Sequence, residues 1–358
     1  MFISKMVKYF TVGLICSIST CLATPMRLTM MLEHEGFLMW YAQKKGWDKE
    51  LGLDLNLEIT KASGEYILNV DNAKSWDVTS VGVVPATIYS KNLPITVFAL
   101  ANNESRATEI FVKPGSEILK TQGYNSKYPT VYGSPESIKG KTFMVRENTS
   151  VFYTLMLWLN IFGMDLKDVN YMNVTIPEMI QKFQDSNAEG FVIWSPDSYE
   201  AIRHGYVQVT NVEEMHAFLP MVFCAHNDYA KNHTEELSKL VYLYSKACHE
   251  QWQKHNLPEM IKAYQKFLKI YTGISFNETF CKFDLLRHVV LSLDEQIDYF
   301  KEVNGVSKIS EVRNNILSLY RESANSLGWK ESYEEKDYPN SISDRYLIEA
   351  KKYSNLEP

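Results

Sequence analysis

Beyond Ala23, this chain has no stretch long and apolar enough to cross a bilayer as a helix. It also lacks a surplus of positive charge: 37 basic residues face 43 acidic ones, for a net charge of −6. Without a basic stripe, nucleic acid is a poor partner. Cysteine is scarce, and only Cys224, Cys248 and Cys281 lie beyond the N-terminal segment. Their number is odd and their spacing fits no metal motif, so they read as small buried hydrophobes, with one disulfide plus one free thiol as the alternative. No G-x-S-x-G, H-E-x-x-H or P-loop pattern occurs, and there is no internal repeat or low-complexity tract. Nothing here calls for a metal, a cofactor or a catalytic residue.

What is present begins with a targeting segment. Lys5 and Lys8 precede the apolar run Tyr9 to Ile18, and small residues at Cys21-Leu22-Ala23 allow cleavage after Ala23. Residues 1–23 are therefore expected to be a signal peptide and the mature chain to be periplasmic or otherwise extracytoplasmic. Removing them takes away Lys5 and Lys8 and moves the net charge to −8. Ile18-Ser19-Thr20-Cys21 loosely matches a lipobox, which makes a lipid anchor at Cys21 the alternative.

The mature chain alternates strands with helices. Arg27 to Leu32, Leu53 to Ile59, Asp77 to Gly82, Ile95 to Ala101 and Ile110 to Val112 read as strands. Such alternation predicts mainly parallel sheets covered by helices on both faces, with ligands bound beyond the strands' carboxyl ends. The loops Glu33 to Gly36, Gly82 to Pro85 and Asn102 to Ser105 are then candidates, and Glu33, His34, Val84 and Asn102 are taken from them. A Gly/Asn/Ser/Pro-rich segment, Gly115 to Ser137, reads as a crossing into a second lobe, and Met221 to Cys224 as the return. From Tyr229 the chain is almost wholly helical, and Leu237, Leu240, Val241, Tyr244, Ala247 and Cys248 form an apolar stripe at helical spacing. The expected domains are residues 26–112 (first part of lobe I), 113–223 (lobe II), 224–330 (helices packing back on lobe I) and 331–358 (a polar, loosely attached tail).

The most informative stretch runs from Ser134 to Arg203. Apolar Thr142 to Val145 delivers the polar loop Arg146 to Ser150 onto the helical run Val151 to Phe162. A helix start presented in this way can hold a small anionic group, because its first N–H groups are unpaired and its dipole favours negative charge. Asn148, Thr149 and Ser150 are the strongest candidates, although residues of these types also serve as plain helix caps.

Several segments resemble one family, the substrate-binding proteins of ABC importers for nitrate, sulfonates and taurine, within the wider thiamine-pyrimidine superfamily. Gly52-Leu53-Asp54-Leu55 is similar to its "GLDVEL". Asp77 to Pro85 resembles its "D…G…P" loop, and Asn103-Glu104-Ser105 with Ile110 to Ser116 its "NES…VFVRPDS". Tyr132 to Lys141 is close to "WGSPESLKGK", Phe162-Gly163-Met164 with Asp168-Val169 to "GL…DV", and Trp194-Ser195-Pro196 to "WAP". The likeness spans about Met30 to Phe267. It implies an α/β protein of the type II periplasmic-binding-protein fold: two α/β lobes joined by a hinge, with the helical C-terminal region packed on lobe I.

The resemblance implies a monomeric solute-binding protein that closes on a small anionic or zwitterionic molecule (sulfonate, taurine-like, nitrate-like or carboxylate) and delivers it to ABC permease subunits. By resemblance, Trp194 lines the cleft and the hydroxyls at the helix start hold the anionic head. Asp197 could pair with a ligand amine. Arg106 could grip a carboxylate, and ranks lower. Phe152 stands two positions after Ser150, where relatives often carry His, and implies a more apolar pocket wall. Two rivals are a ligand-sensing module for a membrane receptor and a relative of the pyrimidine synthase of this fold. The latter needs a clustered cysteine motif that the chain lacks.

Overall fold

The computed structural model of the protein describes residues 25–339 and 341–354. The expected signal peptide, with Cys21, lies outside the described residues. The chain begins with β1 (Met26–Met31), buried at every position but Arg27, as a strand covered on both faces must be. There follow β2 (Leu55–Thr60), β3 (Val78–Gly82) and β4 (Ile95–Asn103), then β5 (Thr108–Val112), β6 (Thr142–Val145), β7 (Asn170–Asn173), β8 (Gly190–Trp194), β9 (Val207–Asn211) and β10 (Pro220–His226).

These strands form two sheets, in the orders β2-β1-β3-β10-β4 and β7-β6-β8-β5-β9. Each sheet contains one strand antiparallel to both of its neighbours: β10 between β3 and β4, and β5 between β8 and β9. In each case it is the first strand laid down after the chain crosses from the other lobe. The two α/β lobes expected from sequence are present, but their sheets are mixed.

The crossings differ from the expected boundaries. β5 pairs in the second sheet, so the chain leaves lobe I between Asn103 and Thr108 and not after residue 112. It returns between Asn211 and Pro220, ahead of the expected Met221 to Cys224, which lies inside β10. The Gly/Asn/Pro-rich segment misled because it is a surface excursion of lobe II. The true crossings are short and polar, and they are tied together: Glu104 N–H donates to Leu219 O, Glu213 N–H to Ser105 O, and Leu219 N–H to Ser105 Oγ. β9 escaped notice in the sequence because it is only half buried along its first two residues.

The helices that matter here are α1 (His34–Lys45), α2 (Val83–Tyr89), α3 (Ser150–Ile161), α4 (Thr234–Trp252), α5 (Leu257–Thr272), α6 (Glu278–Arg287), α7 (Leu293–Phe300), α8 (Lys308–Leu327) and α9 (Arg345–Ser354). α3 is apolar around most of its circumference and is accordingly buried along most of its length. It ends where Gly163 takes φ +68, with Met164 N–H returning to Leu159 O, a turn that glycine makes without steric cost. α4 packs on α1 and α5, placing the apolar stripe of α4 against lobe I.

The C-terminal helices reach further than lobe I. α8 contacts α2 in lobe I and α3 in lobe II. Tyr199 of lobe II packs on Phe280 of α6, with ring centroids 4.5 Å apart. The tail is not loose. Ile342 bridges Val97 in β4, and α9 buries Tyr346, Leu347 and Ala350 against α4 and β4. Its polar composition belongs to one face only, which the stretch as a whole concealed. Cys224, Cys248 and Cys281 are all buried free thiols, as small core residues would be.

Candidate functional site

Where the lobes meet, a narrow cavity is lined from lobe I and the crossings by Met31, Glu33, Gly64, Gly82, Pro85, Glu104 and Met221, and from lobe II by Thr149, Ser150 and Trp194. All three loops expected to face a ligand after β1, β3 and β4 reach it, through Glu33, Gly82 with Pro85, and Glu104. The approach is tight: a Cβ on Gly82 would meet Ser150 Oγ at 2.7 Å. Glycine is required here for closeness, not for a special backbone angle.

The lobe II wall follows from the strand–loop–helix order. β6 ends at Val145, Asn148 turns the chain with φ +59, and Thr149 takes the extended N-cap position of α3. The Thr149 hydroxyl does not cap the helix. It donates to Arg146 O at 2.6 Å and so is occupied inside the loop. That leaves Ser150 Oγ and the first N–H groups of α3 as the donors at the helix start. Trp194 closes the wall at the end of β8 and is buried. Asn148 does not line the cavity. Beside it, Arg146 Nε donates to Glu65 Oε1 of lobe I at 2.8 Å, an interlobe tie.

The lobe I wall is acidic. Glu33, Glu35 and Glu104 bring carboxyl oxygens within 4.8 Å of one another, and Glu35 accepts from Ser80 Oγ at 3.1 Å. Burial, then the neighbouring carboxylates, holds Glu33 and Glu104 well above the usual carboxylate range, and burial pushes Glu35 up to about 7. Asp197 stands nearby at the first turn of a short helix with its side chain exposed to solvent. Crowding by protein, then Asp284 and Glu200, raises it to about 6.

Three expected site residues lie behind the cavity wall. His34 is wholly buried in α1. Gln251 Nε2 donates to Leu285 O, which turns its oxygen toward His34 Nε2 at 2.7 Å, and Asn102 Nδ2 approaches His34 Nδ1 at 3.3 Å. This arrangement fixes the neutral imidazole with Nε2–H as donor, and burial drives its proton affinity well down. The expected carboxylate–imidazole pair facing the ligand is therefore not formed. Asn102 serves His34, and Val84 is a core residue of α2. His34 and Val84 begin helices just after strands and Asn102 lies near the end of β4, and all three side chains are buried in the core. Phe152 also points away from the cavity, into α8, against Tyr320 and Trp329, so it does not make the pocket wall apolar. Arg106 pairs with Glu213 on the surface at 2.8 Å.

Sequence reading missed Glu104 and Glu35 as individual residues, although both lie in loops or turns that it singled out. It had no means of placing Asp284 and His288. Both come from the C-terminal helical region, and His288 Nε2 comes within 3.8 Å of Glu104 Oε1.

Comparison with known proteins places this geometry. A Brachyspira hyodysenteriae protein described as an ABC transporter periplasmic binding protein is 28% identical over 138 residues, 38% of this chain and 39% of that relative. The chain thus spans about two fifths of this curated relative. The aliphatic sulphonate binding protein of Escherichia coli superposes with a TM-score of 0.64 at 15% identity, covering 88% of this chain and 97% of the other. The alkanesulfonate-binding protein of Xanthomonas axonopodis pv. citri does so with 0.66 at 12% identity, covering 89% and 98%. These likenesses establish the periplasmic-binding-protein fold. The NMT1-like family matches residues 33–265, which is more than half of the sequence and includes both crossings and all of the cavity lining but Met31, and the chain belongs to that family.

Proposed function

We propose that this protein is an extracytoplasmic solute-binding component of an ABC importer. It would capture a small anionic or zwitterionic molecule between its lobes and present the closed form to the permease. The observation that carries this reading is the cavity shared by Ser150 and Trp194 on one lobe and Glu33 and Gly82 on the other. A ligand there touches both lobes at once, so its binding energy is spent on closure. The sulphonate-binding and periplasmic-binding descriptions of similar proteins support the class.

The solute's anionic head would face Ser150 Oγ and the free N–H groups of α3, with Trp194 covering its apolar part. Export past the inner membrane and an acceptor permease belong to the same proposal. Catalysis has no part in it.

The test is titration calorimetry with taurine, ethanesulfonate and nitrate, alongside mass spectrometry of whatever co-purifies with the native protein. For the solute that binds, the double variant Thr149→Ala, Ser150→Ala should lose at least about tenfold in affinity, since a charge-assisted hydrogen bond contributes about 1.5–3 kcal/mol. Because the Thr149 hydroxyl is held by Arg146 O, Ser150→Ala alone should account for most of the loss. Unchanged affinity in the folded double variant would remove the anion site.

A further inference from the structure

An acidic wall facing an anionic head needs a positive charge between them. We propose that Glu33, Glu35, Glu104 and His288 bind one divalent first-row metal cation, Zn²⁺ or Mn²⁺, beneath the solute cavity. The three carboxylates each bring an oxygen to within 4.8 Å of the others, and all three side chains are buried. Clustering alone would not make a site, but a buried imidazole stands beside it, with His288 Nε2 3.8 Å from Glu104 Oε1. Among the described residues, His288 Nε2 has no hydrogen-bond partner, and neither do Glu35 Oε2 and Glu104 Oε1 of the cluster itself.

The state of His288 is set by geometry. Its Nδ1–H donates to Asp284 O at 2.8 Å, so Nε2 carries a lone pair, 3.8 Å from Glu104 Oε1. The ring is held by stacking on His34, with centroids 4.8 Å apart and planes 4° apart. His34 is itself locked by Gln251 and Asn102. Ser80 orients Glu35 from the other side. Ligands oriented in this way by a supporting layer of hydrogen bonds are characteristic of metal sites. Three carboxylates and one imidazole suit Zn²⁺ or Mn²⁺ better than Ca²⁺, which takes six to eight oxygens.

Glu33 and Glu104 also line the cavity. The metal would therefore offer an open position to the solute's anionic head, held from the other side by Ser150. That coupling rests on the solute-binding reading; the metal site does not.

The experiment titrates the chelator-treated mature protein separately with Zn²⁺, Mn²⁺ and Ca²⁺, reading heat and, by native mass spectrometry, stoichiometry. One Zn²⁺ or Mn²⁺ per chain is expected, bound at least tenfold more weakly by Glu35→Gln. Glu35→Gln removes a buried acid from a like-charged cluster and should fold; His288→Gln provides an independent variant with the same expectation. No uptake of either metal, or wild-type affinity in both folded variants, overturns the site. Taurine and ethanesulfonate are then titrated with and without metal. Metal binding with no solute binding keeps the site and counts against the solute reading. Solute binding without metal uptake and indifferent to chelator does the reverse, and places the solute's own ammonium where the metal was proposed.

Discussion

The two walls of the cleft are built on different principles. The lobe II wall comes mainly from one contiguous stretch, β6 through the start of α3, closed by Trp194 of β8, and offers neutral donors in the form of a hydroxyl and free backbone N–H groups. The lobe I wall sets the buried acids Glu33 and Glu104, with Glu35 and His288 behind them, among Met31, Gly64, Gly82, Pro85 and Met221. A neutral donor wall is stable with or without ligand. A carboxylate wall in low dielectric is held either as protonated acids or against a cation. On the proposed reading, closure onto a solute would be favoured on one side by hydrogen bonds and on the other by charge compensation.

The largest effect is expected where a buried acid already has its cation. Glu109 in β5 is wholly buried, and Arg287 Nη2 of α6 lies 2.6 Å from its Oε1. Burial still raises Glu109 above its ordinary range, with Arg287 opposing. Arg287→Ala should cost about 3–5 kcal/mol, because it strands a buried carboxylate. Urea unfolding would measure it, and Arg287→Met with Glu109→Leu should recover most of the loss. A cost below about 1 kcal/mol would erase the distinction between compensated and uncompensated acids.

Next comes the line where the walls touch. Gly82→Ala places a methyl at 2.7 Å from Ser150 Oγ. Overpacking of this kind typically costs about 1–3 kcal/mol. Here the lobes can relieve it by parting. The expected result is weaker solute capture and a larger radius of gyration by small-angle scattering, with the melting temperature little changed. Full affinity would mean that the lobes do not need this approach.

The unequal legibility of the sequence follows the same division. Lobe II's wall is local, so the strand, the polar loop and the helix start could be read directly, and Thr149, Ser150 and Trp194 all line the cavity. Lobe I's wall depends on which way a side chain leaves a strand end. Glu33 turns toward the cavity and His34, one residue on, turns into the core. Glu33 is the extended N-cap of α1 and His34 its first helical residue, so the chain changes direction between them, and no composition signal says which of the two faces the cavity. The contributions of α6 and the residues after it could not be read at all, because His288 reaches Glu104 only through the tertiary packing of the C-terminal helices. The crossings were misplaced because glycine and proline mark loops of any kind, whereas the real crossings are short polar segments bonded to each other.

A smaller effect should separate the acids of the lobe I wall from ordinary structural charges. Glu104→Gln removes one acid from a cluster in which burial, then the neighbouring carboxylate Glu35, pushes Glu104 well above the usual carboxylate range. The ligand-free protein should melt at or above the wild-type temperature, by an amount worth up to about 1 kcal/mol, because one uncompensated buried acid is gone. Solute capture should fall. Marked destabilisation would mean that Glu104 is structural, in the manner of Glu109.

The smallest effect concerns Arg106, which sequence alone offered as a carboxylate clamp. Its guanidinium is taken up by Glu213, with Nε 2.8 Å from both carboxylate oxygens and both side chains 49% exposed. An ion pair this open to solvent contributes about 0–1 kcal/mol, and less as salt rises. Arg106→Ala should therefore shift the urea midpoint only slightly and leave solute affinity within about twofold of wild type. The residue's backbone carbonyl, which accepts from Arg287 Nη2, is untouched by the substitution. A large loss of affinity would require Arg106 to leave Glu213 and swing into the cleft when ligand arrives. The neutral wall at Ser150 would then have acquired a formal positive charge, and the contrast between the two walls would hold only for the ligand-free state.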